Sequence, residues 1–414
     1  MPQNRRRFRA ALLFCIAVFG PFALKPAAGP LPDESFPPEF RWQALAGTRT
    51  GLYGLSFFGA LIPLRTGGEV RKIIRAENRW ITLGSEGILV SGDLRRWESR
   101  NRGLPRKTIK VFRDGTVSFE RVVQEIKDLE LNPFDSEIMA CATKDRVFLS
   151  RDGGRSWRDL GMPAYRTNGI KAVAVTSLTG ASGAPELCVF LSHSTYGIHI
   201  LMPDRRGALW TELNGGIEPL ETTGNADEVS DILCAAPEGN PVVYAAQTFR
   251  PRIYRLDWEG RRFERIWSGG EGFGTADSLS LHEDSLRFIR EGAVVDIPRP
   301  GGPPPLRPER RREDLAALYR SLTGGEAPLC LGLWERGAGI SPEFYSLSEL
   351  WLLGEGEGPE AARRREGLYL PANHIMEERL LRRHLATMED RGLNMIVIDM
   401  KDDYGRLRFV PENP

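Results

Sequence analysis

The chain has no apolar run long enough to cross a bilayer as a helix. Its longest, Ala10 to Leu24, is about 15 residues and is broken by Gly20 and Pro21, against the ~20 that a spanning helix needs. Nor is there an excess of charge of either sign. Its 56 basic and 55 acidic side chains leave a formal net charge of +1, without the electrostatic footprint of a nucleic-acid binder. Cysteine and histidine are scarce, five of each. No cysteine spacing forms a CxxC pair, and His193, His199, His282, His374 and His384 show no HExxH or other paired ligand spacing, so neither a metal centre nor a cofactor is expected. There is no Walker loop. The glycine-rich stretch from Gly269 to Gly274 lacks a following helix and reads as a loop, not a dinucleotide site.

What is present points to short strands. Hydrophobic residues make up 41% of the 414 and charged residues 27%, a balance that folds around cores rather than staying disordered. The length leaves room for two or three domains. Gly 44 and Pro 29 together exceed the ordinary share of about 12%, which suits many tight turns and disfavours a helical bundle.

The first segment belongs to export. Arg5, Arg6, Arg7 and Arg9 precede the apolar run, and the small residues Ala27, Ala28 and Gly29 follow it. That order marks residues 1–29 as a secretory signal peptide and places the protein in the periplasm or outside the cell. An uncleaved N-terminal anchor is the alternative; after cleavage no stable transmembrane span is expected. The bulky Phe14 before Cys15 argues against a lipid attachment site. Removing residues 1–28 takes away five basic side chains and no acidic one, which moves the net charge from +1 to −4. The other cysteines, Cys141, Cys188, Cys234 and Cys330, each sit in an apolar run and read as buried thiols.

A repeat organises the middle of the chain. Four segments share an alternating strand, an Asp in a polar turn and an aromatic opening the next strand: GILVSGDLRRW (87–97), RVFLSRDGGRSW (146–157), GIHILMPDRRGALW (197–210) and RIYRLDWEGRRF (252–263). Their aspartates, Asp93, Asp152, Asp204 and Asp257, are 59, 52 and 53 residues apart. Strand-like pairs precede them, EIKDLEL with EIMACAT and SDILCAA with PVVYAAQ, giving about four short strands per repeat. That count predicts propeller blades. The expected fold is mainly β, a β-propeller of five to seven blades with its core over residues 36–300.

Residues 150–157, Ser-Arg-Asp-Gly-Gly-Arg-Ser-Trp, fit the Asp-box pattern S-x-D-x-G-x-x-W without a mismatch, and Ser91, Asp93 and Trp97 form a shortened copy. Here the sequence resembles Asp-box β-propellers, a group that includes sialidases, sortilin-type receptors and photosystem assembly factors. The resemblance implies a structural role for Ser91, Asp93, Trp97, Ser150, Asp152, Gly154, Trp157, Asp204 and Asp257 on outer hairpins. The carboxylate would accept backbone N–H bonds, glycine would take a positive φ, and tryptophan would pack between sheets. Sialidase chemistry needs an arginine cluster with a Tyr nucleophile, and no Arg-Ile-Pro motif occurs near the mature N-terminus.

Residues 301–366 read as a linker. A Pro- and Arg-rich connector (298–313) and the polar GEGEGPEAARRRE (354–366) enclose a short helix, LAALYRSL, and FYSLSELWLLG (344–354), which could add or close a blade.

From Gly367 the pattern changes. GLYLPA (367–372) reads as a buried strand. Leu380, Leu381, His384, Leu385 and Met388 share one helical face before the stop at Gly392. NMIVIDMK (394–401) has the continuous apolar character of a parallel strand covered on both faces. Together they predict a βαβ fragment. In a (β/α)8 barrel the C-terminal ends of the strands carry the site, which makes Asp399, Lys401, Asp402, Asp403 and His374 candidate substrate-binding residues on a rim that Asn373 also reaches. The alternative for Asp402 and Asp403 is that they solvate a turn or cap the next helix.

The run 367–409 resembles the opening of a bacterial glycoside-hydrolase-type barrel domain, through Gly367, Tyr369, Asn394, Val397, Ile398, Asp399, Lys401, Asp402, Asp403 and Gly405. The resemblance implies an exported, carbohydrate-active parent. A complete barrel takes about 250 residues, and glycosidases bring paired carboxylates from different strands. The expectation is therefore a truncated barrel over 367–414, without hydrolytic competence in this chain, and a propeller that binds glycan or a cell-envelope partner. The rival expectation is a non-catalytic propeller acting as a binding or assembly factor of the cell envelope.

Overall fold

A computed structural model describes residues 42–56, 61–113, 116–163, 168–180, 183–219, 229–269, 276–282, 285–290, 293–298, 328–333, 343–346, 367–371, 374 and 377–398. The expected signal segment, the connector beyond 298, the helix LAALYRSL, the polar stretch 354–366, Asn373, Asp399, Lys401, Asp402 and Asp403 lie outside the described residues. The chain divides into two compact units, Met1–Glu349 and Leu350–Pro414.

The first unit is mainly β. Among the described residues it holds six sheets of three to five strands, each an antiparallel meander in which consecutive strands pair. Sheet II comprises Val70–Ala76, Arg79–Gly84, Gly87–Ser91 and Glu98–Ser99. Sheet III comprises Asp128–Asn132, Asp135–Ala142, Val147–Ser150 and Arg158–Gly161. Sheet IV runs from Ile170–Thr179 through Pro185–His193 and Gly197–Leu201 to Thr211–Glu212. Sheet V contains Val229–Ala235, Val242–Gln247, Arg252–Asp257 and Arg262–Ser268; sheet VI contains Asp277–His282, Ser285–Arg290 and Ala293–Pro298.

Sheet I joins the two ends of the unit. Trp42–Thr48, Gly51–Ser56 and Leu61–Thr66 are continued by Pro328–Leu333 and Glu343–Ser346. Ala44 faces Leu333 and Gly47 faces Cys330 across the junction. Pairing of early with late strands removes two edges that would otherwise be open to other chains.

The opening strands of sheets III, IV, V and VI pack on one another in chain order, and Glu343–Ser346 contacts the opening strands of both sheet VI and sheet II. These are the inner strands of a propeller arrangement. Being flanked by a sheet on either side, an inner strand buries both of its faces. In Ile170–Thr179, Val173 and Val175 enter the core shared with sheet III, while Ala174 and Leu178 enter the core shared with sheet V. That is why AVAV (172–175) is continuously apolar although its sheet is antiparallel. Equivalent cores lie between sheets I and II around Leu45, Val70, Trp80 and Leu94, and between II and III around Ile81, Leu129, Phe148 and Trp157. Cys141, Cys188, Cys234 and Cys330 are buried in these cores as free thiols.

The turns depend on glycine where side chains approach closely. Gly103 has φ +95°, and a Cβ there would run into the Trp157 carbonyl. Trp157 in turn donates its backbone N–H to Arg102 O at 3.0 Å. The loop after sheet II and the last turn of sheet III are thus locked together.

In the second unit Gly367–Leu370 pairs in parallel with Met395–Ile398, Gly367 facing Met395. The helix Glu378–Arg391 lies between them in sequence and ends on Gly392 with φ 65°, whose N–H bonds to the last-turn carbonyls. The expectation of covered strands is corrected here. Leu370 is buried, but Tyr369, Val397 and Ile398 are 56%, 46% and 45% exposed. Among the described residues a single helix accompanies this two-stranded sheet, too little to cover both of its faces.

Candidate functional site

Buried and half-buried ionisable groups gather at the starts of three inner strands. Lys72 and Asp231 sit just past register shifts, between Val70 and Lys72 in sheet II and between Val229 and Asp231 in sheet V. A bulge re-aims a side chain that regular alternation would send into a core. Asp128 opens its strand in sheet III, with Glu130 two residues on and on the same side.

Lys72 Nζ donates to Asp128 Oδ1 at 2.8 Å and also to Glu130 Oε1. Asp128 accepts backbone N–H bonds from Leu129 at 2.8 Å and, across to sheet IV, from Val173 at 2.9 Å. Asp231 does the same one pair of sheets further on, accepting from Ile232 at 2.9 Å and from Leu279 of sheet VI at 2.7 Å. Lysine and aspartates therefore tie sheet II to III, III to IV and V to VI. Glu130 differs: Lys72 engages one of its oxygens, and the other keeps acceptor capacity. Solvent reaches 21% of the Lys72 side chain, 11% of Asp128 and 23% of Glu130.

One ammonium against three carboxylates leaves the group short of positive charge. Burial works against the Lys72 ammonium, yet Asp128, Glu130 and Asp231 outweigh it and raise the lysine pKa. Burial is also the main force on Glu130. Lys72 opposes it, Asp128 and Asp231 reinforce it, and the carboxyl is pushed up to about 7. Burial and the Asp128 charge raise Asp231 to about 6 against the pull of Lys72 and its two N–H bonds. Glu130 is therefore a carboxyl that exchanges its proton near neutrality, beside a fixed cation and reachable by solvent. Such a group can accept from or donate to a hydroxyl. Among the described residues no set of three or more His, Cys, Asp and Glu is arranged to hold a metal ion.

The turn residues lie elsewhere, between the third and fourth strands of their sheets. Asp152 Oδ1 accepts from Ser156 N at 2.9 Å and from Ser150 Oγ at 2.8 Å, and Gly154 N donates to Ser150 Oγ at 2.8 Å. Desolvation acts to raise the Asp152 carboxyl, but the bonds from Ser156 and Ser150 and the Arg155 charge together outweigh it, and the carboxyl falls to about 2. Trp157 is 6% exposed and donates Nε1–H to Arg100 O at 2.7 Å. In sheet II, Asp93 Oδ1 accepts from Arg95 N and Arg96 N, both at 2.8 Å, and from Ser91 Oγ at 3.1 Å, while Trp97 packs on the core between sheets I and II. Asp204 instead pairs with Arg151 of the preceding sheet's turn at 2.6 Å, and Asp257 accepts from Gly260 N at 3.1 Å. These side chains are engaged within their own turns or with a neighbouring sheet, and none belongs to the inner-strand cluster.

Of the rim candidates, His374 is described. Its Nδ1 lies 3.1 Å from His384 Nε2, with the rings stacked at 5.3 Å between centroids. His384, on the apolar helix face, thus meets a second imidazole. The inner-strand cluster was not legible as a site in the sequence. The available signal was an Asp at or near the start of two inner strands two repeats apart, with a Glu two residues beyond the first.

No family model matches the sequence, and no curated protein matches it. Solved structures resemble it at low identity. The extracellular domain of BT4673 from B. thetaiotaomicron is 11% identical with a TM-score of 0.40, over 63% of this chain and 31% of that one. A GH74 enzyme from Niastella koreensis is 15% identical with a TM-score of 0.39, over 59% of this chain and 38% of that one. YCF48 bound to D1 peptide is 12% identical with a TM-score of 0.38, over 78% and 99%. The chain spans about a third of the length of the first two. At such values these neighbours supply no argument about its chemistry.

Proposed function

We propose that this chain is a carbohydrate-binding, six-bladed β-propeller of an exported protein, joined at Gly367 to the start of a glycoside-hydrolase-type barrel domain. The observation that carries the binding reading is the inner-strand cluster. Glu130 offers a carboxylate oxygen to a sugar hydroxyl, Lys72 holds that carboxylate in place, and Asp128 and Asp231 keep the surrounding strands in register. The carbohydrate class rests on the sequence resemblance of residues 367–409. In this reading the propeller retains the glycan and does not cleave it, and Asp399, Lys401, Asp402, Asp403 and His374 belong to the rim of the barrel domain.

A glycan array probed with the full chain tests this. The wild-type chain is expected to retain at least one polysaccharide, and Glu130→Ala to weaken that retention by about tenfold or more, as expected for loss of a hydrogen bond to a charged acceptor. Retention of no sugar by the wild type, or equal retention by the variant, overturns the assignment.

A further inference from the structure

Between sheets II and III the chain leaves the ring and returns. Arg106–Arg113 and Thr116–Val123 pair antiparallel along their whole length, from Arg106 opposite Val123 to Arg113 opposite Thr116. Among the described residues they share a sheet with no other strand. Such a two-stranded ribbon is marginal in water by itself. Its base is fastened by Gln124 N–H to Pro105 O at 2.8 Å and by Val123 against the core between sheets II and III.

Register decides what the ribbon shows. Lys110 lies opposite Phe119, Phe112 opposite Val117 and Thr108 opposite Arg121, so these six side chains share one face. On it Phe112 is 68% exposed, Phe119 71% and Val117 45%. Lys110 Nζ sits 4.7 Å from the centre of the Phe112 ring. Across residues 106–123 five basic residues face two acidic ones, a local net charge of +3 on a chain whose total is +1.

We propose that this face docks on an anionic lipid surface, with the two phenyl rings entering the boundary between headgroups and acyl chains and Lys110 and Arg121 meeting the phosphates. Charge complementarity selects that partner. The rings project from a ribbon instead of lining a groove, and apart from Thr108 the face offers cations and hydrocarbon alone. A sugar would need acceptor side chains to read its hydroxyls, and this face has no carboxylate or amide. Lipid requires only an apolar wedge with basic flanks. The inference stands on the ribbon and is independent of the inner-strand cluster.

The test uses the full chain with a solvatochromic dye on Thr116→Cys, at the ribbon tip, and in a parallel sample on Arg206→Cys, on an exposed turn of sheet IV. Vesicles are phosphatidylcholine alone or phosphatidylcholine with phosphatidylglycerol. The ribbon dye is expected to shift to the blue with anionic vesicles and not with neutral ones, and the Arg206→Cys dye to remain in water. Comparing dye positions separates ribbon docking from any attachment through the N-terminus. Phe112→Ser with Phe119→Ser is expected to weaken the response by about tenfold or more. Lys110→Glu with Arg121→Glu is expected to weaken it by about fivefold or more per residue. All four substituted side chains are exposed, so the melting curve should match the wild type. No blue shift at the ribbon, an equal shift with neutral vesicles, or unaltered binding by both double variants overturns the proposal. So does retention on an anionic polysaccharide without a vesicle response, which would assign the face to a glycan.

Discussion

Replacing Glu130 by Gln keeps the side chain's shape and an acceptor for Lys72 while removing the carboxylate that the cluster least supports. Lys72 can neutralise one partner, and Asp128 has the stronger claim, with backbone N–H groups from Leu129 and Val173 already on it. Burial, reinforced by the Asp128 and Asp231 charges, therefore outweighs Lys72 and pushes the Glu130 carboxyl up to about 7 from the ordinary 4.5. A folded-state pKa above the unfolded one means that the folded protein holds the proton more tightly. Its stabilising effect is complete below about pH 4 and is lost as pH rises through about 7. At about 1.4 kcal/mol for each tenfold in proton affinity, the full interval corresponds to about 3 kcal/mol. Solvent reaching 23% of the side chain reduces the effective figure to about 1–2 kcal/mol. Urea unfolding should therefore show Glu130→Gln equal to wild type near pH 4 and about 1–2 kcal/mol more stable near pH 8. A variant less stable than wild type at pH 8 would mean that the Lys72–Glu130 pair is a net stabilising salt bridge, and the charge reasoning given for this site would fail.

Other substitutions probe the frame. Trp157→Ala removes a ring that fills the core between sheets II and III and should cost about 3–5 kcal/mol in urea unfolding. Asp152→Ala should cost about 1 kcal/mol at neutral pH through loss of its turn bonds. Because the carboxyl is depressed to about 2 from the usual 3.8, that contribution is present above pH 3.8 and lost as pH falls, so variant and wild-type stabilities should converge near pH 2. Gly103→Ala places a methyl against the Trp157 carbonyl at φ +95° and should lower the urea midpoint by at least as much as a backbone strain of about 1–3 kcal/mol. Cys141, Cys188, Cys234 and Cys330 should resist a thiol reagent until the protein is unfolded. Burial keeps them protonated as well as covered.

The repeat of alternating strands, polar turns and aromatics was legible because each part is local. Asp152 meets Ser150, Gly154 and Ser156 within its own turn, so the residue types and their spacing already contain the interaction. The strand pairs ahead of each turn were legible for the same reason: consecutive antiparallel strands need only a short turn to meet. The ribbon at 106–123 carries a comparable local signal, Asp114-Gly115 between alternating runs, but that it joins no larger sheet among the described residues is not displayed in the sequence. The second unit shows the opposite failure. A continuous apolar run reads as a strand covered on both faces, but coverage depends on neighbours, and Val397 and Ile398 remain half exposed.

By itself the sequence determined a mainly β chain of repeated short strands and the local chemistry of each turn, because periodicity and turn bonding act over a few residues. Only the tertiary structure decided which strands became inner ones and how sheet I joins Ala44 to Leu333. It also decided that Lys72, Asp128, Glu130 and Asp231, up to 159 positions apart in sequence, share one electrostatic neighbourhood. Their proton affinities arise from burial and from one another's charges across neighbouring sheets, and neither exists until those sheets have packed together.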